Sequence, residues 1–200
     1  MNIPETANLL WSGTVIIADA DFMDRVAFDL IVNFERIIGR RIPKGDISLW
    51  AVCAALDGGV RPGENEVQVV LLHDRKNSKM ENFVPSSYVQ ELNGQAFKDP
   101  QFGEFAFADI ATGEFAGNGI TMLDILRNLL EHKEVKRIVI VPDDSDEDTM
   151  VALRSVLRNA DDDKRITMLN MQPITGFDCK QEILGYSVMK ALGIKSEEIK

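Results

Sequence analysis

Two strand-like runs in this chain end in clustered carboxylates. Thr14 to Asp21, TVIIADAD, carries Asp19 and Asp21 one residue apart, and Arg137 to Asp148, RIVIVPDDSDED, carries Asp143, Asp144 and Asp146. In an open α/β sheet, ligands bind beyond the carboxyl ends of the strands, at the point where the strand order reverses. Acids held there on rigid backbone suit a hard cation such as Mg²⁺ or Mn²⁺. Mg²⁺ takes oxygen ligands at about 2.1 Å and keeps several waters, so two or three side chains suffice. The expected chemistry is therefore an acidic divalent-metal site built from Asp19, Asp21, Asp143, Asp144 and Asp146. Without a cation, the same gathering raises at least one carboxyl pKa by mutual repulsion.

Several neighbouring groups have a structural reading beside the functional one. Ser145 with Asp148 fits a capping box, and Glu147 and Asp148 suit the first turn of a helix. Thr121-x-x-Asp124 has the same pattern, so Asp124 is read either as a ligand or as a cap. His73 follows an apolar run and either lines the same rim or is a hydrogen-bonded structural group. Ser86-Ser87 has no matched base and Cys53 lies on an apolar helical face, so neither reads as a nucleophile. Walker A and G-x-G-x-x-G loops are absent.

The elements that must position these groups alternate between strand and helix. Thr14 to Ala18 reads as a buried parallel strand, and Met23, Val26, Ala27, Leu30, Ile31, Phe34, Ile37 and Ile38 give residues 22–38 one continuous apolar face. Gly39 suits the position just past that helix. Asp46 is expected to cap a second helix carrying Ile47, Trp50, Ala51 and Ala54, and Val67 to Leu72 is the next strand. Residues 75–118 lose this regularity. That Phe-rich insertion is read with a short helix at 86–92, a strand at Glu104 to Ile110, and a hairpin turn at Ala111-Thr112-Gly113. Phe83, Phe97, Phe102, Phe105, Phe107 and Phe115 are expected to form a satellite core beneath it, or else an exposed patch for a protein partner.

Regularity resumes with helices over Thr121 to His132 and Ser145 to Ala160, strands at Arg137 to Val141 and Ile166 to Met171, and a last helix from about Asp178 to Leu192. The expected fold class is α/β: a three-layer, mostly parallel five-stranded sheet with helices on both faces, in one domain spanning residues 1–200.

The chain has 200 residues and a net charge of −10, with a pI near 4.7. A nucleic-acid-binding surface is normally basic, so the overall field disfavours RNA. Any basic patch would have to be local, around Arg36, Arg40, Arg41 and Lys44 or around Arg75, Lys76 and Lys79. No window approaches the ~18 apolar residues of a membrane span. The amino terminus lacks the basic start of a signal peptide, and the expected compartment is the cytoplasm. Cys53 and Cys179 are too isolated for a disulfide framework or a structural zinc site.

A strand ending in IADAD before a long helix, followed much later by a strand ending in VPDDSD before another helix, resembles the PIN-like nuclease fold, especially its NYN branch. The resemblance covers residues 12–172. It implies a Rossmann-like sheet and a metal that activates water against an RNA phosphodiester. By position, Asp19 and Asp21 match the first acidic region, Asp144-Ser145-Asp146 the second, and Asp124 an acid in the preceding helix. Asp143 adds a candidate catalytic acid, and Asn118, Ser145 and His73 are candidates for contacting substrate.

Phe115 and Asn118 stand where many NYN domains carry Lys and Asp, and Pro142 replaces the Gly of the G-D-S-D turn. Those departures raise the alternative of a catalytically degenerate PIN-like module that binds a protein or small ligand. The chain also resembles an uncharacterised bacterial domain family. A further alternative is a haloacid-dehalogenase-like phosphatase, which also pairs strand-D-x-D with a D-S-x-N-D-like turn. There, however, a hairpin flap stands where Phe22 to Ile38 is helical in pattern.

Overall fold

β1 (Thr14–Asp19) is buried along its whole length, as an apolar β-branched run without alternation requires. It leads directly into α1 (Ala20–Ile38), and the short β2 (Gly45–Asp46) leads into α2 (Ile47–Asp57), followed by β3 (Asn65–Asp74). The chain then makes β4 (Phe83–Val84), a single π-helical turn at Tyr88–Leu92, β5 (Ala96–Asp99) and β6 (Gly103–Thr112). The remainder is α3 (Asn118–Glu131), β7 (Arg137–Val141), α4 (Glu147–Leu157), β8 (Arg165–Asn170), β9 (Lys180–Ile183) and α5 (Leu184–Ala191). This computed structural model describes residues 10–113 and 115–199; the expected amino-terminal arm before Leu10 lies outside the described residues.

The main sheet has seven strands in the order β5-β6-β3-β1-β7-β8-β9. All neighbours pair in parallel except β5 and β6, so the sheet is mixed and larger than the five parallel strands expected. Both additional strands are edges of four residues, AFKD and KQEI, partly exposed and too short to show a hydrophobic alternation. β9 occupies the start of what reads in sequence as one helix, and α5 begins only at Leu184.

Alternate residues of β1 feed two cores. Ile16 and Ala18 face a cluster with α1, α2 and α5, centred on Trp50, while Val15 and Ile17 face α3 and α4. The helices thus cover both faces. The chain moves from β1 toward β3 over one face and from β7 toward β8 over the other, so β1 and β7 flank the point where the winding reverses. Among the described residues, no helix is long and apolar enough to cross a membrane.

The segment 75–118 is more regular than its sequence suggests. β6 runs ten residues against β3, and Phe83, Phe102, Phe105 and Phe107 belong to the main core on the Trp50 side rather than to a satellite. Phe115 alone is 98% exposed. Among the described residues, no returning strand pairs with β6 after the expected hairpin turn at Ala111-Thr112-Gly113; a single antiparallel bridge joins Gly113 to Ala116. β6 pairs back onto β5, which precedes it, and after Thr112 the chain turns into α3.

Two capping assignments also change. α3 begins at Asn118, so Thr121 and Asp124 lie inside the helix, and α4 is capped by Asp146 rather than Ser145. Asp46 caps α2 as expected, accepting from Ser48 N and Leu49 N, and Gly39 closes α1 with φ +75°.

Candidate functional site

Asp19 ends β1 and caps α1, its Oδ1 accepting from the Phe22 N–H at 2.9 Å. The strand-to-helix turn therefore fixes both its position and its direction. Asp21, in the first turn of α1, accepts from the Asp74 N–H (2.7 Å) and Asn118 Nδ2 (3.0 Å) at one oxygen and from Asn77 Nδ2 (2.7 Å) at the other. Asn118 opens α3 and links the two acids, since its Nδ2 also donates to Asp19 Oδ1 at 2.9 Å. Its own Oδ1 accepts from the Thr112 hydroxyl at 2.8 Å, which sets the orientation of the amide.

Across the crevice, Asp143 accepts from the Ser145 N–H and hydroxyl at one oxygen and pairs with the Arg25 guanidinium at the other. Asp146 accepts from the Thr149 N–H (3.1 Å) and hydroxyl (2.6 Å). The Thr149 hydroxyl is the main reason its carboxyl lies below the usual range.

These groups line an open cavity of about 480 Å³ over the carboxyl ends of β1, β3, β6 and β7, with Arg25 and Lys76 beside the acids. Asp19 is only 6% exposed. Burial, above all, raises its pKa from 3.8 to about 6, with Asp21 and Asp143 adding repulsion, against the lowering effect of its bonds from Phe22 and Asn118. Among the described residues no donor reaches its Oδ2. The cavity therefore holds one carboxylate able to exchange a proton near neutrality, within a frame of carboxylates already hydrogen-bonded.

Asp19, Asp21, Asp143, Asp146 and Asn118 are thus brought together. Asp144 is not, because its Oδ2 accepts from the Met171 N–H at 2.7 Å and anchors the end of β8. Asp124 lies away from the cavity, paired with Arg127 at 2.8 Å on the exposed side of α3. Ser145 touches the site only through Asp143. His73 is buried behind it, stacked 3.7 Å from Tyr88, with Nε2 3.1 Å from Asp109 Oδ2 and Nδ1 3.0 Å from the Asp74 carbonyl.

Arg25, Lys76, Thr112 and Asn77 are contributors that sequence reasoning missed. Arg25 carried a signal, since it stands four residues after Asp21 on the same helix. Thr112 ends β6, and Lys76 and Asn77 come from the loop after β3, so their placement depends on β3 pairing with β6.

Asn118→Ala is expected to remove a bond that favours ionised Asp19, pushing that pKa above 6, and to destabilise the protein by about 1–3 kcal/mol at pH 8. The loss shrinks at pH 4.5, where Asp19 is already neutral in the folded state. Urea titrations at the two pH values measure it, and an equal loss at both would detach Asn118 from the charge on Asp19.

As they are placed, the acids are engaged by protein donors. Asp21, Asp143 and Asp146 have each oxygen bonded to a protein donor. Among the described residues no three His, Cys, Asp or Glu side chains are grouped to hold a metal.

Residues 8–199 match the model of a family of unknown function, DUF6621, and the chain belongs to that family. No curated protein and no solved structure matches it.

Proposed function

We propose that this member of a family of unknown function is a PIN-like α/β module that binds a small polar ligand at the β1–β7 crevice, with Asp19 as the group that meets it. The observation that carries this reading is the pairing of Arg25 with Asp143. The positive charge that converging carboxylates need is supplied by the chain itself, while one oxygen of Asp19 stays open to the cavity. Such a carboxyl, half-ionised near pH 6, can accept a hydrogen bond from a ligand hydroxyl or ammonium, or donate one to a ligand oxygen. The excess of acids over Arg25 and Lys76 favours a neutral or cationic ligand rich in donors.

A second reading, a metal-dependent phosphodiesterase acting on RNA, has one observation in its favour. The raised Asp19 pKa reflects burial beside two other carboxylates, a cost that a bound Mg²⁺ or Mn²⁺ would relieve. It requires Arg25 to give way at Asp143, whose second oxygen it now occupies.

One titration separates the two readings. With the Asp19 carboxyl followed by carbon NMR, millimolar Mg²⁺ or Mn²⁺ is expected to leave its midpoint near pH 6. Stoichiometric metal binding that lowers this midpoint and is lost in Asp19→Asn would overturn the binding-module reading in favour of the hydrolase.

A further inference from the structure

A second cavity, of about 820 Å³, opens at the opposite end of the sheet, against the amino ends of β7 and β8 and the Gly58–Arg61 turn that follows α2. Its lining carries six basic residues, Arg61, Arg137, Arg158, Lys164, Arg165 and Lys180, against three acidic ones, in a chain whose net charge is −10. The charge of this wall is therefore opposite to that of the molecule. Lys180 is paired with Glu182 and bonded to the Asp57 carbonyl, and Lys164 is bonded to the carbonyls of His132 and Val135. Among the described residues, Arg61, Arg137, Arg158 and Arg165 have neither an ion pair nor a side-chain hydrogen bond.

Strand register makes this arrangement costly. Arg137 and Arg165 are direct partners in the β7–β8 pairing, so their side chains leave the same face of the sheet from backbones about 4.8 Å apart. That face is the α2 side, because Val139 and Leu169, two and four residues along the two strands, belong to the core around Trp50. Like charges side by side on neighbouring strands destabilise a sheet.

Arg137 is also partly buried against the turn after α2, where a Cβ built on Gly59 would lie 3.9 Å from its Nη1. Burial first, then the charges of Arg165 and Arg61, bring its pKa below the usual value. The carboxyl end of α2 offers about half a negative charge, too little to balance three guanidinium groups.

We propose that Arg61, Arg137 and Arg165 form a binding site for a small, multiply charged phosphate, such as a diphosphate or a phosphorylated metabolite. Guanidinium groups suit this ligand because their planar N–H forks bind phosphate oxygens in pairs. The cavity has the size of small-molecule sites. A long polyanion would meet the overall repulsion of a molecule of net charge −10, whereas a small one contacts only the residues of the pocket.

Inorganic pyrophosphate, titrated calorimetrically into the full chain at low salt, is the test. Wild type is expected to bind one equivalent, and Arg137→Gln and Arg165→Gln each to weaken binding about tenfold or more. Without pyrophosphate, Arg165→Gln should melt no lower than wild type, since it removes a repulsion rather than a contact. Absence of binding at millimolar pyrophosphate would overturn the site, as would unchanged affinity in both variants. A single-stranded RNA oligonucleotide that binds these arginines more tightly than pyrophosphate, with a steep salt dependence, would overturn the assignment to a small ligand.

Discussion

Asp19→Asn is expected to stabilise the protein by about 2–3 kcal/mol at pH 8, the reverse of the usual effect of replacing a buried group. Asp19 has a folded-state pKa of about 6 against 3.8 for the free side chain, so between those values the folded protein holds more protons than the unfolded one. Stability therefore falls as pH rises from 3.8 to 6 and levels off above that window, once both states are ionised. Asparagine keeps the oxygen that accepts from Phe22 N and Asn118 Nδ2 and remains a good cap for α1, but never has to ionise. The gain should shrink below about 1 kcal/mol at pH 4. Guanidinium titrations at pH 4 and pH 8 read both ends of the curve. If the substitution instead destabilises the protein at pH 8, the charge on Asp19 is stabilised by its surroundings.

Gly103→Ala is expected to have the largest effect of any single methyl group added to this fold, a loss of more than about 4 kcal/mol or failure to accumulate folded. Gly103 has φ +94°, and a Cβ there would stand 2.2 Å from Asn65 O and 2.4 Å from Asn65 N. Both obstacles are backbone atoms of β3, in the first pair of a ten-residue register, so neither can swing aside. Gly113→Ala, one residue past the other end of β6, meets nothing within 4 Å among the described residues and should change stability by less than about 1 kcal/mol. Paired denaturation curves decide the point, and comparable stability of the two variants would refute the close approach.

The contrast between β1 and β5 shows what could be read from the sequence. β1, β3, β7 and α1 are apolar and correctly spaced, so their existence follows from pattern alone, whereas the approach of Asp143 to Asp19 depends on β1 and β7 lying side by side, which no pattern within either strand dictates. β5 and β9 exist because a neighbour offers unpaired backbone groups. Their own side chains, AFKD and KQEI, favour no particular state.

The same distinction runs through the site. A strand-end acid is legible as an acid at a rim, but whether its oxygens are open or occupied depends on loops that arrive from elsewhere. Asp74 reaches Asp21 from the end of β3 and Asn77 from beyond it, and Met171 claims Asp144 from beyond β8. Asp124 misleads for a related reason. Its capping pattern is real, but α3 starts three residues before Thr121 and carries Asp124 around to solvent.

The two four-residue outer strands also bear on how the molecule meets its own copies. A sheet border with free N–H and C=O groups is a template on which another chain can add a strand, and long flat apolar borders are where fibrils begin. Here one border is Ala96–Asp99, with Lys98 tied to Glu64 at 2.9 Å, and the other is Lys180–Ile183, with Lys180 tied to Glu182 at 3.0 Å. Each is too short and too charged to template growth. The apolar strands β1, β3 and β7 lie inside the sheet with a neighbour on both sides, and β6 is covered by β5 over Gly103 to Ala106.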